Sequence, residues 1–331
     1  MIIDVHAHYT QAPPQLDAYR GRQVGNMARP EKGSIKISDE EIEKSLQVNF
    51  KQMAEKGIDK LVFSPRASGM GHDFGNELIS LYWTQVNNDL IARACKLFPD
   101  KLIPCCQLPQ TPGVSPKGRV VEELERCVLE LGFVACNINP DVSGGVPPLT
   151  PSLGDEWWYP LWEKMVELDV PGMIHASSTL NPALHILGSH YTNQHNAAVV
   201  ELCLSRVYED FPTLKLIIPH GGGAVPYQWN RHRAIHMREG RRPFEEVVKH
   251  VYFDTAIYDK DSMEMLIRKV GVDNVLFSTE MLGTAKAVDP QTGRLFDDTV
   301  DMVKGIEWLS PEDKYKIFEG NARKLYSRAK W

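Results

Sequence analysis

The chain has 331 residues, of which 43% are hydrophobic and 24% are charged, and its formal net charge is −6. This composition is ordinary for a soluble globular protein, and the lack of a long basic run argues against a nucleic-acid partner. No apolar run approaches the roughly 20 residues that span a bilayer, so no membrane segment is expected. The six cysteines form no CxxC pair, which favours reduced thiols and a cytoplasmic location.

Strand-like and helix-like segments alternate along the whole chain. The first strand lies within residues 1–10, and a polar segment over 9–37, rich in Pro and Gly, is typical of a lid or binding loop. Further strands are predicted at 58–65, 102–108, 133–139, 170–175, 214–220, 251–255 and 274–280. Helices are predicted at 38–56, 76–98, 119–131, 157–169, 194–210, 226–238, 261–270, 297–308 and 311–326, the first starting from a Ser38/Glu41 capping box.

Eight strands alternating with helices, without a break in composition, favour the α/β class. We predict one domain over residues 1–331, a single (β/α)₈ barrel of the TIM type. A doubly wound open sheet is the alternative, but no GxGxxG motif follows the first strand. Nor does the chain carry a complete phosphate-binding P-loop, because Arg119 follows Gly118 where Lys-Ser/Thr is required.

The first strand carries the strongest chemical signal. His6 and His8 are two residues apart, so both project from the same face of a strand rich in β-branched residues. Such a pair is also found in surface loops without any ligand, and spacing alone does not decide between the two. The other predicted strands decide it, since polar side chains stand at their carboxyl ends as well: Arg66, Asn137, Asn139, His175, His220 and Glu280.

In a (β/α)₈ barrel these strand ends meet at one mouth, where active sites lie. Three histidines, His6, His8 and His175, with the carboxylate of Glu280, suit one divalent metal per chain. Zinc takes nitrogen and oxygen ligands of this kind. We therefore predict a zinc site at the carboxyl ends of the strands.

These motifs resemble the amidohydrolase superfamily, in its branch of aminocarboxymuconate-semialdehyde decarboxylase-like enzymes. The resemblance rests on His6-Ala7-His8, on His175 and on the run from His220 to Gly223, and it covers nearly the whole chain. The branch usually ends its eighth strand in Gly-Ser-Asp, whereas this chain has Ser278-Thr279-Glu280. That departure argues against decarboxylation.

Three further segments, 277–283, 64–69 and 190–193, make the chain similar to the subgroup of 4-oxalomesaconate hydratases. The resemblance implies a metal-dependent lyase that adds water to the C=C bond of 4-oxalomesaconate in protocatechuate and gallate degradation. The implied partner is this small tricarboxylate. We also expect a homo-oligomer, a dimer or larger.

The residue types fit this chemistry. Glu280 is predicted to hold the metal, orient the attacking water or take its proton, and His220 and Tyr191 to act as general acid and to stabilise the enolate. Cationic or amide partners are needed for three carboxylates, and guanidinium binds carboxylate in a bidentate fork. The predicted substrate-binding residues are Arg66, His72, Asn193, Arg231 and Lys286.

Several alternatives stay open. A decarboxylase or hydrolase of the same branch, acting on a ring-cleavage or aromatic acid, is the second hypothesis, and a non-catalytic metal-binding scaffold is the third. The glycines at 221–223 have the composition of an oxyanion hole, but no GxSxG elbow accompanies them. A tight turn in which side chains would crowd the mouth is the simpler interpretation.

Overall fold

The computed structural model describes residues 1–331 and consists of eight parallel strands with helices between them. The strands β1–β8 follow one another around the sheet in chain order. Their bounds are Ile3–His8, Lys60–Ser64, Leu102–Gln107, Ala135–Ile138, Gly172–Ile174, Leu216–Ile218, Val251–Asp254 and Val275–Leu276. The sheet closes where the Val5 N–H donates to the carbonyl of Phe277, next to β8, at 3.1 Å. The predicted (β/α)₈ barrel is therefore confirmed.

Thirteen α-helices, α1–α13, surround and extend the barrel. Their bounds are Gln15–Gly25, Asp39–Lys56, Glu77–Leu97, Arg119–Glu125, Tyr159–Leu168, Tyr191–Leu204, Val207–Asp210, Trp229–Arg238, Phe244–Val247, Lys260–Val270, Val300–Lys304, Pro311–Tyr315 and Asn321–Leu325. The Ser38/Glu41 capping box is present at the start of α2. No helix combines the length and the apolar character that a bilayer crossing requires.

Several predicted bounds were wrong. The segment 9–37, predicted as a long loop because of its polar composition, contains the helix α1. One face of this helix is buried through Leu16 and Tyr19. The helix predicted at 194–210 begins earlier, at Tyr191, and is divided at Ser205. The last two predicted helices are shorter or divided by a π-helical turn, Lys316–Gly320. Strand β8 keeps only two residues, because the chain beyond it turns into the mouth.

The barrel interior changes from apolar to polar along the strands. One apolar cluster draws residues from seven of the eight strands, and Tyr252 of β7 packs against it. Its members include Ile3, Val62, Ile103, Ala135, Met173, Ile217 and Leu276. The residue two positions further along points to the same interior face. On β5 that step leads from Met173 to His175, and on β7 from Tyr252 to Asp254. Polar side chains are thereby collected at the carboxyl ends of the strands, above an apolar floor.

Candidate metal centre and active site

Three of the predicted histidines converge on one point. The Nε2 atoms of His6 and His8 are 3.1 Å apart, and those of His8 and His175 are 3.2 Å apart. All three side chains are buried. Two nitrogens that bind one zinc ion at about 2.0–2.1 Å lie roughly 3.0–3.4 Å from each other, so the spacing matches a shared metal.

The other ring nitrogen of each histidine has a fixed partner. Nδ1 of His6 lies 2.8 Å from a carboxylate oxygen of Asp254, and Nδ1 of His175 lies 2.7 Å from the carbonyl of Ala176. A carboxylate and a carbonyl oxygen can only accept a hydrogen bond. The ring proton of His6 and of His175 is therefore on Nδ1, and Nε2 of each ring has a lone pair. Nδ1 of His8 lies 2.8 Å from Ser64 Oγ, which Asn137 Nδ2 also contacts at 3.0 Å. Such outer partners fix the tautomer and the orientation of metal-binding histidines.

Burial keeps these imidazoles neutral. It lowers the pKa of His6, His8 and His175 well below the usual histidine value, and the neighbouring imidazoles lower it further. Neutral imidazole is the form that binds a metal. Lone pairs about 3 Å apart in a buried site repel each other unless a cation lies between them. The donor set therefore fits one divalent metal.

Glu280 completes the cluster. One ligand atom from each of His6, His175, His220 and Glu280 lies within 4.8 Å of the others. The Glu280 side chain is buried and accepts a short hydrogen bond from the phenol of Tyr258. Gly283 leaves it room, since a Cβ there would lie 2.9 Å from the Glu280 carboxyl carbon.

His220 stands slightly apart from the three other histidines. Its Nδ1 lies 3.0 Å from the carbonyl of Ala256, while its buried Nε2 has no hydrogen-bond partner. The ring centroid is 5.3 Å from that of His6. His6, His8 and His175 make the closer contacts with one another, whereas the group of four within 4.8 Å contains His220 instead of His8. The free Nε2 of His220 lies beside these three rings.

The glycines after His220 form the tight turn expected from the sequence. All three have positive φ values, between 60° and 74°. A Cβ on Gly223 would lie 2.2 Å from the backbone oxygen of Thr192, and one on Gly221 would lie 2.6 Å from Ile257. The turn lets the first turn of α6 and the loop after β7 approach the backbone that follows His220 closely.

A cavity of about 300 Å³ opens above the cluster. Its walls include His8, His175 and Glu280 from the cluster, Arg66 and Lys286 from loops, and Tyr191 at the start of α6. Burial raises the pKa of the Tyr191 phenol to about 12, so this group keeps its proton. Arg66 uses Nε to donate to Ser68 Oγ at 2.8 Å, and neither Arg66 nor Lys286 forms an ion pair with a carboxylate of the chain.

Three predicted substrate contacts do not line this cavity. His72 is buried, and burial lowers its pKa to about 4. Arg231 is exposed on α8, where it donates to Gln228, and Asn193 is exposed in the first turn of α6. Asn139 is not directed at the metal cluster either, because its side chain bonds to the backbone of Asp141.

Two residues of the site were missed in the sequence. Asp254 is the last residue of β7, so its position at a strand end was the signal that pointed to it. Tyr258 lies in the loop after β7, where no periodic pattern predicts side-chain direction. Buried Asp4 was also overlooked; it accepts from the Thr279 hydroxyl and backbone, and burial raises its pKa to about 7.

Comparisons with known proteins agree with this geometry. The family model described as Amidohydrolase matches residues 3–328. The 2-keto-4-carboxy-3-hexenedioate hydratase of Sphingobium sp. (strain NBRC 103272 / SYK-6) is 41% identical over 335 residues, which cover 99% of this chain and 96% of that protein.

Two solved structures are similar over nearly the full length. The crystal structure of 4-oxalomesaconate hydratase from Rhodopseudomonas palustris has a TM-score of 0.90 and 43% identity, covering 99% of this chain and 96% of that one. A dihydroxybenzoic acid decarboxylase from Polaromonas sp. JS666, with bound manganese, has a TM-score of 0.74 and 21% identity, covering 100% and 98%. At this lower identity the likeness to the decarboxylase shows the shared fold alone.

Proposed function

The chain belongs to the amidohydrolase family, and we propose that within it the protein is a metal-dependent hydratase, a carbon–oxygen lyase. The substrate is 4-oxalomesaconate in its 2-oxo-3-ene form, 2-keto-4-carboxy-3-hexenedioate, and addition of water to the C=C bond of this form gives 4-carboxy-4-hydroxy-2-oxoadipate. The observation that carries the proposal is the full-length similarity to two hydratases, at 41% and 43% identity. The substrates named for these two hydratases are double-bond isomers with one carbon skeleton.

The charges in the cavity suit this substrate. Arg66 and Lys286 bring two cations without carboxylate partners to the same cavity as the metal cluster. A tricarboxylate supplies the missing anions, and charge-assisted pairs with Arg are the stronger kind of hydrogen bond. We propose that these two residues bind substrate carboxylates. His72, Asn193 and Arg231 lie outside the cavity and have no part in this proposal.

We propose zinc as the metal, held by His6, His8, His175 and Glu280. The nitrogen and oxygen donors suit zinc; manganese is found in the related decarboxylase. When bound, such a metal supplies a Lewis acid that lowers the pKa of a water molecule towards about 7.

The chain's own residues move the protons. The double bond is conjugated with the 2-oxo group, so the hydroxyl adds to the carbon that bears the branch carboxylate. Glu280 takes the proton of the attacking water. His220 is the general acid: with Nδ1 bonded to the Ala256 carbonyl, the doubly protonated ring gives its Nε2 proton to the neighbouring carbon, and the proton that Glu280 takes from water restores it at the end of the cycle. His220 borders the cluster at His6 and is not part of the cavity wall. Tyr191 keeps its phenolic proton and donates a hydrogen bond to the enolate oxygen.

The biological setting is also part of the proposal. We propose that the enzyme acts in the protocatechuate 4,5-cleavage and gallate pathways, in the cytoplasm. All six cysteines are free and buried, which supports a reducing compartment. A homo-oligomer stays a prediction.

A turnover experiment tests the function. The purified, metal-loaded protein is mixed with 4-oxalomesaconate, and the conjugated absorbance is followed together with released CO₂. A hydratase removes the absorbance, releases no CO₂ and yields one equivalent of the hydroxy acid. Release of CO₂ in step with the absorbance change would favour the decarboxylase alternative, and binding of metal without turnover would favour the scaffold.

A further inference from the structure

Tyr258 makes the closest polar contact to Glu280 from outside the cavity. It lies in the loop after β7, and its phenol donates a short hydrogen bond to Oε2 of Glu280. Glu280 lines the cavity, whereas Tyr258 does not. The phenol therefore contacts the carboxylate on the side away from the cavity and does not line the space proposed for the substrate.

The backbone around this contact is strained. Only five non-glycine residues have positive φ, and four of them surround the site: His220 at 52°, Tyr258 at 66°, Glu280 at 49° and Leu282 at 62°. Such conformations persist only where the surrounding structure over-determines them, and they cluster at functional sites. Tyr258 and Glu280 both have this strained backbone conformation. The surrounding structure therefore fixes the position of each residue relative to the other.

The phenol is also fixed as a donor. An ionised carboxylate can only accept, so the hydroxyl of Tyr258 donates this hydrogen bond. With Oε2 in this bond, Oε1 is the carboxylate oxygen that has no partner within the chain.

We propose that Tyr258 is a positioning residue that fixes the rotation of the Glu280 carboxylate so that one oxygen faces the cavity. The inference rests on the proposed hydration, in which Glu280 is the base. A misplacement of about 1 Å of a reacting group costs on the order of 10²-fold in rate. Loss of the phenol removes the bond that holds Oε2, so the carboxylate can tilt about its other oxygen; the turnover step suffers, and substrate binding by Arg66 and Lys286 does not.

The test uses Tyr258→Phe, which removes one oxygen, with Tyr252→Phe on β7 as the matched control. We expect kcat to fall roughly 10- to 100-fold for Tyr258→Phe, with KM and metal content unchanged. The same substitution in a Glu280→Gln background should cost little more, because the two residues act as one unit. Three results would overturn the inference: an unchanged kcat in Tyr258→Phe, a rise in KM alone, or a further 10- to 100-fold fall in kcat when Tyr258→Phe is added to Glu280→Gln.

Crystal structures of the metal-free wild type and Tyr258→Phe supply a readout that does not depend on activity. The Glu280 carboxylate should be ordered in the wild type and rotated or split between rotamers in the variant. An identical, ordered carboxylate in both structures overturns the inference. If the wild type fails to hydrate 4-oxalomesaconate, the proposed function fails, whereas this comparison still tests the positioning role.

Discussion

Nδ1 of His6 lies 2.8 Å from Oδ2 of Asp254, and neither side chain is exposed to solvent. These residues are 248 positions apart in the chain and come from β1 and β7. Burial raises the pKa of Asp254, while contact with His220 and the backbone opposes that rise. The contact fixes which nitrogen of His6 faces the cluster, so the metal site depends on a residue that is not itself a ligand in our assignment.

Replacing Asp254 by Asn should weaken metal binding by about 10- to 100-fold, because the carboxylate both orients His6 and increases its basicity. Competition with a chromophoric chelator measures the affinity. Asp273→Asn removes an exposed carboxylate that binds Lys316 and is the control. Equal metal affinities for wild type and Asp254→Asn would show that the His6–Asp254 contact serves packing alone.

The double variant His6→Ala/His8→Ala should lose its bound divalent metal. It removes two of the three converging Nε2 atoms, and His175 with Glu280 offers too few ligands to hold the ion tightly. Elemental analysis after dialysis gives the metal content per chain. His250→Ala is the control, because the ring of His250 stacks on Tyr208. This variant should keep a full equivalent of metal. A full equivalent in the double variant would refute our ligand assignment.

Arg66→Met should reduce kcat/KM by roughly 10- to 150-fold, mainly through KM, since a charge-assisted hydrogen bond contributes about 1.5–3 kcal/mol. Lys286→Met should behave in the same way. Arg231→Met tests the cavity boundary and should leave the kinetics unchanged, because Arg231 lies outside the cavity. Steady-state kinetics with 4-oxalomesaconate decide between these roles; a wild-type KM for Arg66→Met would contradict carboxylate binding.

Glu280→Gln keeps the size of the side chain and removes its basicity, so kcat should fall by about 10²–10⁴-fold. Glu280→Asp withdraws the carboxylate by one methylene, and a misplacement of about 1 Å can cost on the order of 10²-fold. Metal analysis of both variants separates a lost base from a lost ligand. An Asp variant that hydrates at the original rate would show that the extra length of Glu280 is incidental.

Stability provides a prediction away from the chemistry. Lys56 at the end of α2 forms an ion pair with Asp297, and the two side chains are 3% and 0% exposed. Asp297 also accepts a hydrogen bond from the backbone N–H of Leu282, so the ion pair stabilises the loop that follows Glu280. Lys56→Met leaves a buried carboxylate unpaired and should lower the free energy of unfolding by about 3–5 kcal/mol.

Urea denaturation measures this change. Lys51→Met is the control, since Lys51 is 73% exposed and pairs only with Glu55 on the helix surface. An exposed pair contributes about 0–1 kcal/mol, so this variant should unfold close to the wild type. A Lys56→Met protein as stable as the control would mean that Asp297 finds another partner.

The sequence alone determined the barrel and the histidines and carboxylate that converge at its mouth. Strand and helix periodicity are local properties, and the parity of residues along a strand already places His6 and His8 on one face. The rule that strand carboxyl ends share a mouth then brings His175, His220 and Glu280 to the same place. These inferences need no knowledge of loop conformation.

Only the tertiary structure decided which residues outside the strands reach the site. Arg66 and Lys286 line the cavity whereas His72, Asn193 and Arg231 do not, although all five are plausible carboxylate partners by residue type. Loop paths follow from packing between distant segments, such as the close approach of Ile257 to Gly221.

Packing between distant segments also decides which side chains contact His6 and Glu280. The tautomer of His6 is set by Asp254 across the barrel, and the orientation of Glu280 is linked to Tyr258, which lies 22 residues earlier and at a positive φ. Side-chain periodicity predicts a direction only where the backbone is regular. Both Tyr258 and Glu280 lie beyond the last hydrogen-bonded residue of their strands, where the direction of a side chain depends on the contacts made by the folded chain.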